Sequence, residues 1–226
     1  MKILAFDASA AVGAVALTED NEVIRAYNTE GTHTHSETLL PLAERALSEG
    51  GVSLSDIDLF ACTVGPGSFT GVRIAVSLVK GLALPEDKPC VGLSSLEALA
   101  YPLRNTDGIV CPMIDARRGN MYNALFRGGE RLCEDRLISL EALEAELAAY
   151  GEPVYLAGDA YDVAKARFTL KTEETPTEWR LINGGAVASA AYNVYKAGGA
   201  VGHGALRPEY LRPSQAERER EEKNNE

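Results

Sequence analysis

Two short stretches of the sequence carry residue types that could bind a phosphate group. Asp7-Ala8-Ser9 follows an apolar run, and Gly65-Pro66-Gly67 with Ser68 separates another apolar run from a helical pattern. Backbone N–H groups at the beginning of a helix can bind an anion, so Gly65, Gly67 and Ser68, with Arg118 as a cation, are candidate anion-binding residues. The favoured interpretation is a structural tight turn, because no Gly-Lys-Ser or Gly-Lys-Thr of a P-loop follows.

Two other groups of polar residues are weaker candidates. Arg117 and Arg118 follow an apolar run and could bind a phosphate or a partner's carboxylate, and a solvated β-turn explains them equally well. His33 and His35 have a spacing that can chelate a metal, but no cysteine or carboxylate cluster completes a site. We therefore predict no metal site and interpret both histidines as exposed residues near a helix start. No histidine lies beside a plausible nucleophile, which argues against a hydrolase triad.

Composition indicates a globular protein without a large nucleic-acid-binding surface. Of 226 residues, 46% are apolar and 24% charged, and 33 acidic against 22 basic side chains give a net charge of -11. This charge argues against a basic footprint for DNA or RNA. The four cysteines are far apart and form no CxxC pair, which favours buried reduced thiols. No signal-peptide core precedes Asp7 and no run approaches about 18 apolar residues, so we expect a cytoplasmic protein without a membrane span.

The glycine turn must be positioned by a strand before it and a helix after it. Residues 59–64 form an apolar run with β-branched members, and a helix is predicted over residues 69–84, with Ser68 as its N-cap and Pro85 after its end. This helix is apolar on nearly every side. Its few polar side chains form one narrow stripe: Arg73, Ser77 and Lys80. Such a helix needs packing partners on more than one side.

Small residues occur at one-turn spacing twice along this helix. Gly71 lies one turn before Ala75, and Ser77 lies one turn before Gly81. Each glycine inside a helix costs roughly 1 kcal/mol relative to alanine. Close approach of a neighbouring helix is the expected compensation.

Another helix is predicted over residues 34–49. Thr34 and Glu37 have the spacing of a capping box, Gly50-Gly51 ends the helix, and Pro41 inside it should cause a kink. Its apolar face consists of Leu39, Leu40, Ala43, Ala46 and Leu47.

The sequence also contains an internal repeat. Residues 6–22 align without a gap on residues 114–130, at a constant offset of 108, with apolar strand, Asp-Ala, second strand, turn and Glu in step. The predicted elements repeat in the same order. In the first half they are strands over residues 2–6, 13–17, 22–28, 57–64 and 89–93 with the two helices between them; in the second half a helix over 139–150, a strand over 153–157 and a helix over 185–197 follow.

Two tandem β-β-β-α-β-α halves are the layout of the RNase H-like, actin-like (ASKHA) α/β fold, with a mixed five-stranded sheet in each half. We assign residues 1–106 to the N-terminal half and 107–212 to the C-terminal half. Residues 158–183 read as an irregular variable surface, and residues 213–226 as a charged, frayed tail.

This fold makes a nucleotide site conceivable. In actin-like ATPases an Asp at the end of the first strand handles metal-bound phosphate, and Asp7 and Ser9 occupy that place. The residues that follow, Ala10, Ala11 and Val12, supply none of the Lys, Gln or Thr side chains that normally help. We interpret Asp7 and Ser9 as a vestigial phosphate loop. The alternative is a stand-alone actin-like ATPase or small-molecule kinase.

Five motifs carry a resemblance to a known family. ILAFDAS, THSETLLP, TVGPGSFTGVRIAVSLVKGLAL, MIDARRGNMYNALF and RPEYLR occur in that order between residue 3 and about residue 212, and together they resemble the TsaB (YeaZ) family. GPGSFTGVR is the most specific of them. The family belongs to the bacterial machinery that makes threonylcarbamoyladenosine (t6A) in tRNA. An older label for its superfamily, metallopeptidase, adds a third functional hypothesis after the t6A subunit and the ATPase or kinase.

The resemblance implies a non-catalytic relative of the transferase TsaD with the same two-half fold. TsaD transfers a threonylcarbamoyl group to N6 of adenosine 37 in tRNAs that read ANN codons. A TsaB-like chain would bind TsaD, and through it the ATPase TsaE, and would contact tRNA only indirectly. ATP or ADP and a metal are expected on the partner subunits, since His33-Thr34-His35 does not match the HxxxH pair of TsaD.

The resemblance also implies where the partner binds. In the family the first two helices pack with their TsaD counterparts as a helical bundle, and in isolation the chain is expected to form a homodimer. The predicted partner-binding residues lie on these two helices: Leu39, Leu40, Ala43, Leu47, Gly71, Arg73, Ile74, Ala75, Ser77, Leu78 and Leu82.

Overall fold

The N-terminal part of the chain forms a mixed five-stranded sheet. In this computed structural model, which describes residues 1–29 and 34–212, its strands are β1 (Lys2–Asp7), β2 (Ala14–Glu19), β3 (Glu22–Asn28), β4 (Leu59–Gly65) and β5 (Cys90–Ser94). Their spatial order is β3-β2-β1-β4-β5, and β1 is antiparallel to β2 but parallel to β4. Asp20 and Asn21, both with positive φ, form the turn between β2 and β3.

Two helices, α1 (His35–Gly50) and α2 (Phe69–Ala83), cover the outer face of this sheet. The backbone N–H of Thr34 donates to Glu37 Oε2 at 3.0 Å, and Gly51 ends α1 in the left-handed conformation at φ 66°. Ser68 Oγ accepts from the Gly71 N–H at 3.2 Å. The predicted caps and ends of both helices are therefore confirmed.

The second sheet, like the first, begins with a long strand that pairs with antiparallel strands following it in the chain, but these strands are short and interrupted. Its strands are β6 (Ile109–Asp115), β7 (Asn120–Asn123), β8 (Phe126–Arg127), β9 (Glu130–Arg131), β10 (Arg136–Ser139) and β11 (Val154–Ala157). β7 and β8 pair with β6 in one continuous register, so they are one strand interrupted at Ala124 and Leu125. β9 pairs with β8 and β10 with β7, and β11 runs parallel to β6.

The second sheet differs from the predicted five-stranded sheet at its last position. Where a fifth strand would lie, the described residues show a single parallel bridge between Tyr155 and Glu173. The physical reason is local composition, because residues 171–174 read Lys-Thr-Glu-Glu and have no apolar alternation for a buried strand.

The remaining helices fill the space between and outside the sheets. α4 (Leu140–Tyr150) and α5 (Tyr161–Arg167) cover the outer face of the second sheet, whereas α3 (Ser95–Ala100) and α6 (Gly184–Lys196) pack in the core between the two sheets. A Cβ on Gly184 would lie 2.6 Å from the Val15 carbonyl carbon, so this glycine permits close contact between α6 and β2. The fold class predicted from the sequence is confirmed.

Two details of the sequence interpretation require correction. Asp7 pairs with Ala14, whereas Asp115 pairs with Met121, so the connection in the second half is one residue shorter. The ungapped repeat alignment is therefore correct for the first strand and slips by one residue in the second. In addition, residues 158–183 contain α5, whose Tyr161 side chain is buried, so this segment contributes to the core. The helix was missed because it has only 7 residues among charged neighbours.

Cysteine burial agrees with the sequence interpretation. Cys62, Cys90 and Cys111 are buried, Cys133 is half-buried, and all four are free thiols. In residues 1–29 and 34–212, no helix combines the length and apolar character needed to span a bilayer. The predicted tail, residues 213–226, lies outside the described residues.

Candidate functional site

A groove runs between α1 and α2 on the outer surface of the N-terminal half. It encloses about 560 Å³ and is lined by ten residues: His35, Ser36, Leu39, Leu40, Phe69, Thr70, Arg73, Ile74, Ser77 and Leu78. α1 and α2 both pack on the same face of the sheet, and the groove lies between them. Six of the predicted partner-binding residues therefore line one surface feature.

The predicted partner-binding residues divide into a buried set and a surface set. Leu39, Ala43 and Ala75 are at most 1% exposed and pack under the helices against the sheet of the same chain. Leu40 is 41% exposed, Arg73 and Ser77 are exposed, and the remaining apolar members are half-buried: Leu47, Ile74, Leu78 and Leu82. The surface set is the part that a second protein can contact.

Gly71 belongs to the buried set for a different reason. A Cβ on this residue would lie 1.9 Å from the Ala8 carbonyl oxygen, so the glycine permits α2 to lie against the end of β1. The prediction that the pair Gly71 and Ala75 admits a neighbouring helix is therefore wrong, since both residues serve packing within the chain. The sequence could not show this, because α2 is apolar on both faces.

The second small pair, Ser77 and Gly81, remains open. Both residues are exposed, and nothing lies within 4 Å of the position of a Cβ on Gly81. Nothing in the described chain therefore requires a glycine at this helical position. The close approach of a neighbouring helix at Ser77 and Gly81 stays a prediction.

A second, polar cleft lies between the two halves. It encloses about 970 Å³, and its lining includes Ser9, Gly67, Ser68, Asp115, Arg117 and Asp159. His35, Phe69 and Thr70 line both this cleft and the groove between α1 and α2. The two features therefore meet at the beginning of α2.

Asp7 lies beneath the cleft, fully buried. Its Oδ1 accepts hydrogen bonds from the Ser9 N–H at 3.1 Å, the Ser9 hydroxyl at 2.7 Å and the Thr63 hydroxyl at 2.5 Å. Burial raises the pKa of the Asp7 carboxyl, and the hydrogen bonds from Thr63 and Ser9 oppose that shift. In the described part of the chain, Oδ2 has no hydrogen-bond partner.

The glycine turn is occupied by close backbone contacts. The Ser68 N–H donates to the Ser9 carbonyl at 2.6 Å, and a Cβ on Gly67 would lie 2.2 Å from the same oxygen. A Cβ on Gly65 would lie 2.4 Å from the Glu209 carbonyl oxygen. These contacts support the structural interpretation of the turn, and the residues here fit a bound phosphate poorly. Arg118 is exposed on the turn between β6 and β7, and it is Arg117 that lines the cleft.

The histidines are not arranged as a chelating pair. His35 Nε2 lies 2.9 Å from the Ala10 carbonyl oxygen and the residue is half-buried, so the expectation of an exposed side chain is wrong for it. His33 lies outside the described residues. Among the residues that are described, no group of three or more His, Cys, Asp and Glu side chains could hold a metal ion.

One residue that lines the cleft and contacts two residues of the groove was not predicted from the sequence. Tyr210, from the RPEYLR motif, stacks on Phe69 with ring centroids 4.4 Å apart and receives a hydrogen bond from Arg73. The motif itself was the available signal, since an aromatic residue beside basic ones is typical of a contact segment. The contact joins residues 137 positions apart, which no local pattern predicts.

Two mixed sheets with helices on their outer faces and a cleft between them define the actin-like class of α/β proteins. The ethanolamine utilization protein EutJ from Carboxydothermus hydrogenoformans shares this fold, with a TM-score of 0.57 at 13% identity, over 84% of this chain and 90% of that one.

Sequence and structure comparisons place the chain more closely. The family model described as TsaD, tRNA N6-adenosine threonylcarbamoyltransferase, matches residues 29–218, and the chain belongs to this family. The Bacillus subtilis protein TsaB is 39% identical over 134 residues, which are 59% of this chain and 58% of that protein. The chain thus matches a little over half the length of this curated relative. YeaZ from Pseudomonas aeruginosa superposes with a TM-score of 0.78 at 27% identity, over 93% of this chain and 99% of that one. The resemblance to the TsaB (YeaZ) family is confirmed.

Proposed function

We propose that this chain is a non-catalytic subunit for t6A biosynthesis that binds a TsaD-type transferase through the groove between α1 and α2. The observation that carries the proposal is the groove itself, whose rim carries exposed Leu40 and half-buried Ile74 and Leu78 on two helices of one sheet face. Adjacent apolar side chains on a monomer's surface mark sites of protein contact. The family match and the similarity to TsaB proteins supply the identity of the partner class.

The geometry suits a helix as the bound element. An amphipathic helix can place its apolar face into a groove between two helices and bury their exposed side chains. Exposed Gly81, one turn beyond Ser77, allows a second helix to approach α2 closely. In this proposal the TsaE-type ATPase binds through the transferase, and without a partner the same face joins two copies of the chain.

The cleft supports a non-catalytic role. Asp7 is fully buried, its Oδ1 accepts hydrogen bonds from Ser9 and Thr63, and its Oδ2 is not exposed to the cleft. The Ser68 N–H donates to the Ser9 carbonyl and is not free for a phosphate. We therefore place ATP or ADP and the metal on the partner subunits. The net charge of -11 supports indirect contact with tRNA, and the free thiols fit a reducing cytoplasm.

The experiment is a binding measurement with the purified TsaD-type protein of the same organism. Leu78→Glu and Leu40→Glu each place a charge in the groove, and we expect association to fall at least about tenfold for each. Val163→Glu is the matched control, because Val163 is 47% exposed on α5, away from the groove. Circular dichroism checks that each variant is folded. Undiminished binding by both groove variants would refute the assignment of this face.

A second measurement addresses the alternative enzyme. Calorimetric titration of the isolated chain with Mg-ATP should show no micromolar binding if the proposal is correct. Tight binding that is lost in Ser9→Ala would favour a stand-alone ATPase or kinase. Ser9 lines the cleft, and its hydroxyl donates to the buried Asp7.

A further inference from the structure

The C-terminal strap, residues 206–212, is fastened to both halves of the molecule. Leu206 is buried among residues of β4, α1 and α2, and Lys80 Nζ donates to its carbonyl oxygen at 3.3 Å. The Glu209 N–H donates to the Val64 carbonyl at 2.7 Å. Arg212 Nη1 donates to the Ala116 carbonyl of the second half at 3.2 Å. Tyr210 is therefore held in a fixed place over the beginning of α2.

Tyr210 and Phe69 together fix the guanidinium of Arg73. Arg73 Nε donates to the Tyr210 hydroxyl at 2.7 Å, and Arg73 Cζ lies 4.0 Å from the centroid of the Phe69 ring. The two rings stack at an interplanar angle of 25°. An arginine side chain normally loses considerable rotamer freedom on binding, and this one has already lost part of it.

The terminal nitrogens of Arg73 have no partner in the described part of the chain. Residues 1–29 and 34–212 contain no carboxylate within ion-pair distance of Arg73, and its contacts are those with Phe69 and Tyr210. Two other exposed arginines pair with carboxylates of the chain, Arg127 with Glu152 and Arg45 with Glu49. Arg118 and Arg167 are exposed without an ion pair among the described residues, but no aromatic ring contact is found for either, so Arg73 differs from them in being held by Phe69 and Tyr210. Arg73 is thus a pre-oriented cation with N–H donors left over.

The charge of the groove is unusual for this protein. None of its ten described lining residues is acidic and Arg73 is their one lysine or arginine, although the whole chain has a net charge of -11. A planar guanidinium matches a carboxylate with two parallel hydrogen bonds. The groove is therefore complementary to an apolar helix that carries a negative charge.

The geometry points to Arg73 as the residue that recognises a carboxylate on the partner's helix, with Tyr210 as its positioning residue. The C-terminal strap is thereby part of the docking surface. This inference rests on the proposed function and specifies its chemistry: the occupant is a helix of the transferase-type partner with an Asp or Glu side chain opposite Arg73. A second copy fits less well, since a two-fold interface would set this groove against itself and its lining supplies no carboxylate.

The test compares dissociation constants of the complex with the TsaD-type protein. We expect Arg73→Gln to weaken binding about tenfold and Arg73→Lys to recover only part of that loss, because an ammonium cannot bind in bidentate fashion. Tyr210→Phe keeps the ring stacking and removes the hydroxyl, so we expect a loss of about threefold, and a larger loss for Tyr210→Ala. Arg167→Gln is the control, because Arg167 is exposed at the end of α5.

A merely structural role for Arg73 would not alter the salt dependence of binding. The wild-type affinity should fall between about 0.05 and about 0.5 M salt, and that fall should shrink in Arg73→Gln. Each acidic residue on the partner's helix is replaced with Gln in turn. One of these partner variants should bind the wild-type chain and Arg73→Gln with the same affinity, which identifies the carboxylate that Arg73 contacts.

An Arg73→Gln variant with the affinity and the salt dependence of the wild type would overturn the inference. If Leu78→Glu still abolished binding in that case, the proposed function would stand without it. Homodimer dissociation in Arg73→Gln, with unchanged binding of the transferase, would assign the contact to a second copy and also overturn it.

Discussion

The two glycines of α2 predict opposite responses to the same substitution. Gly81→Ala adds a methyl group in a region where nothing lies within 4 Å, and the residue is in the last turn of the helix. The gain in helix propensity and the reduced entropy of the unfolded chain should raise the free energy of unfolding by roughly 0.5 to 1 kcal/mol. For a chain of this length that corresponds to a rise in Tm of about 1 to 4 °C.

Gly71→Ala adds the same methyl group where it cannot fit. Its Cβ would lie 1.9 Å from the Ala8 carbonyl oxygen. To relieve this overlap, α2 or the end of β1 must move by on the order of 1 Å. We expect a loss of about 2 to 3 kcal/mol and a fall in Tm of roughly 4 to 12 °C. The helix propensity gained is the same in both variants, so the difference between them isolates the packing effect.

The assay is thermal unfolding followed by circular dichroism, with urea unfolding as a check. Protein concentration must be the same for all variants, because self-association would raise the apparent stability. A destabilised Gly81→Ala, or a Gly71→Ala variant as stable as the wild type, would refute the reasoning. Gly81→Leu extends the test, since it should keep the stability of the isolated chain but weaken partner binding if a helix approaches there.

Two further predictions concern buried titratable groups. Burial raises the pKa of Asp7, so the folded chain keeps a proton on this carboxyl at pH values where the unfolded chain has lost it. The contribution of Asp7 to the free energy of unfolding therefore falls as the pH rises from the usual Asp pKa through the raised one. Asp7→Asn should therefore be at least as stable as the wild type at pH 7 in urea unfolding, with the difference shrinking towards the usual Asp pKa; a large loss at pH 7 would contradict this. Burial also raises the pKa of Cys90 to about 11 and those of Cys62 and Cys111 further, so a thiol reagent at neutral pH should modify half-buried Cys133 first. Faster modification of Cys62 in the folded protein would show that the core is not closed.

Local sequence signals predicted the elements that build the groove. The Thr34 and Glu37 capping box, the Ser68 cap and Pro85 placed the ends of α1 and α2 within about a turn, because caps and proline act on the backbone beside them. Short apolar runs and the turn residues between them predicted β1 to β5 for the same reason. The interrupted strands of the second half were harder, since segments of two to four residues carry little periodicity.

The orientation of α2 was not predictable. Its Gly71 and Ala75 side and its Ser77 and Gly81 side both carry small residues at one-turn spacing, and both sides are rich in apolar neighbours. Only the contact with Ala8 shows that the first side faces the chain's own core. For this reason the partner-binding residues predicted from the sequence include buried ones, and only the exposed side of α2 borders the groove.

The sequence alone determined the two-half fold, the family and the two helices that border the groove, since these follow from order, spacing and residues near one another in the chain. Tertiary structure decided which side of α2 remains exposed and brought the C-terminal strap onto it. The contact between Arg73 and Tyr210 spans 137 residues. It depends on how the strap crosses between the two halves, and the free energy that fixes such a crossing comes from burial of side chains such as Leu206 across the whole fold.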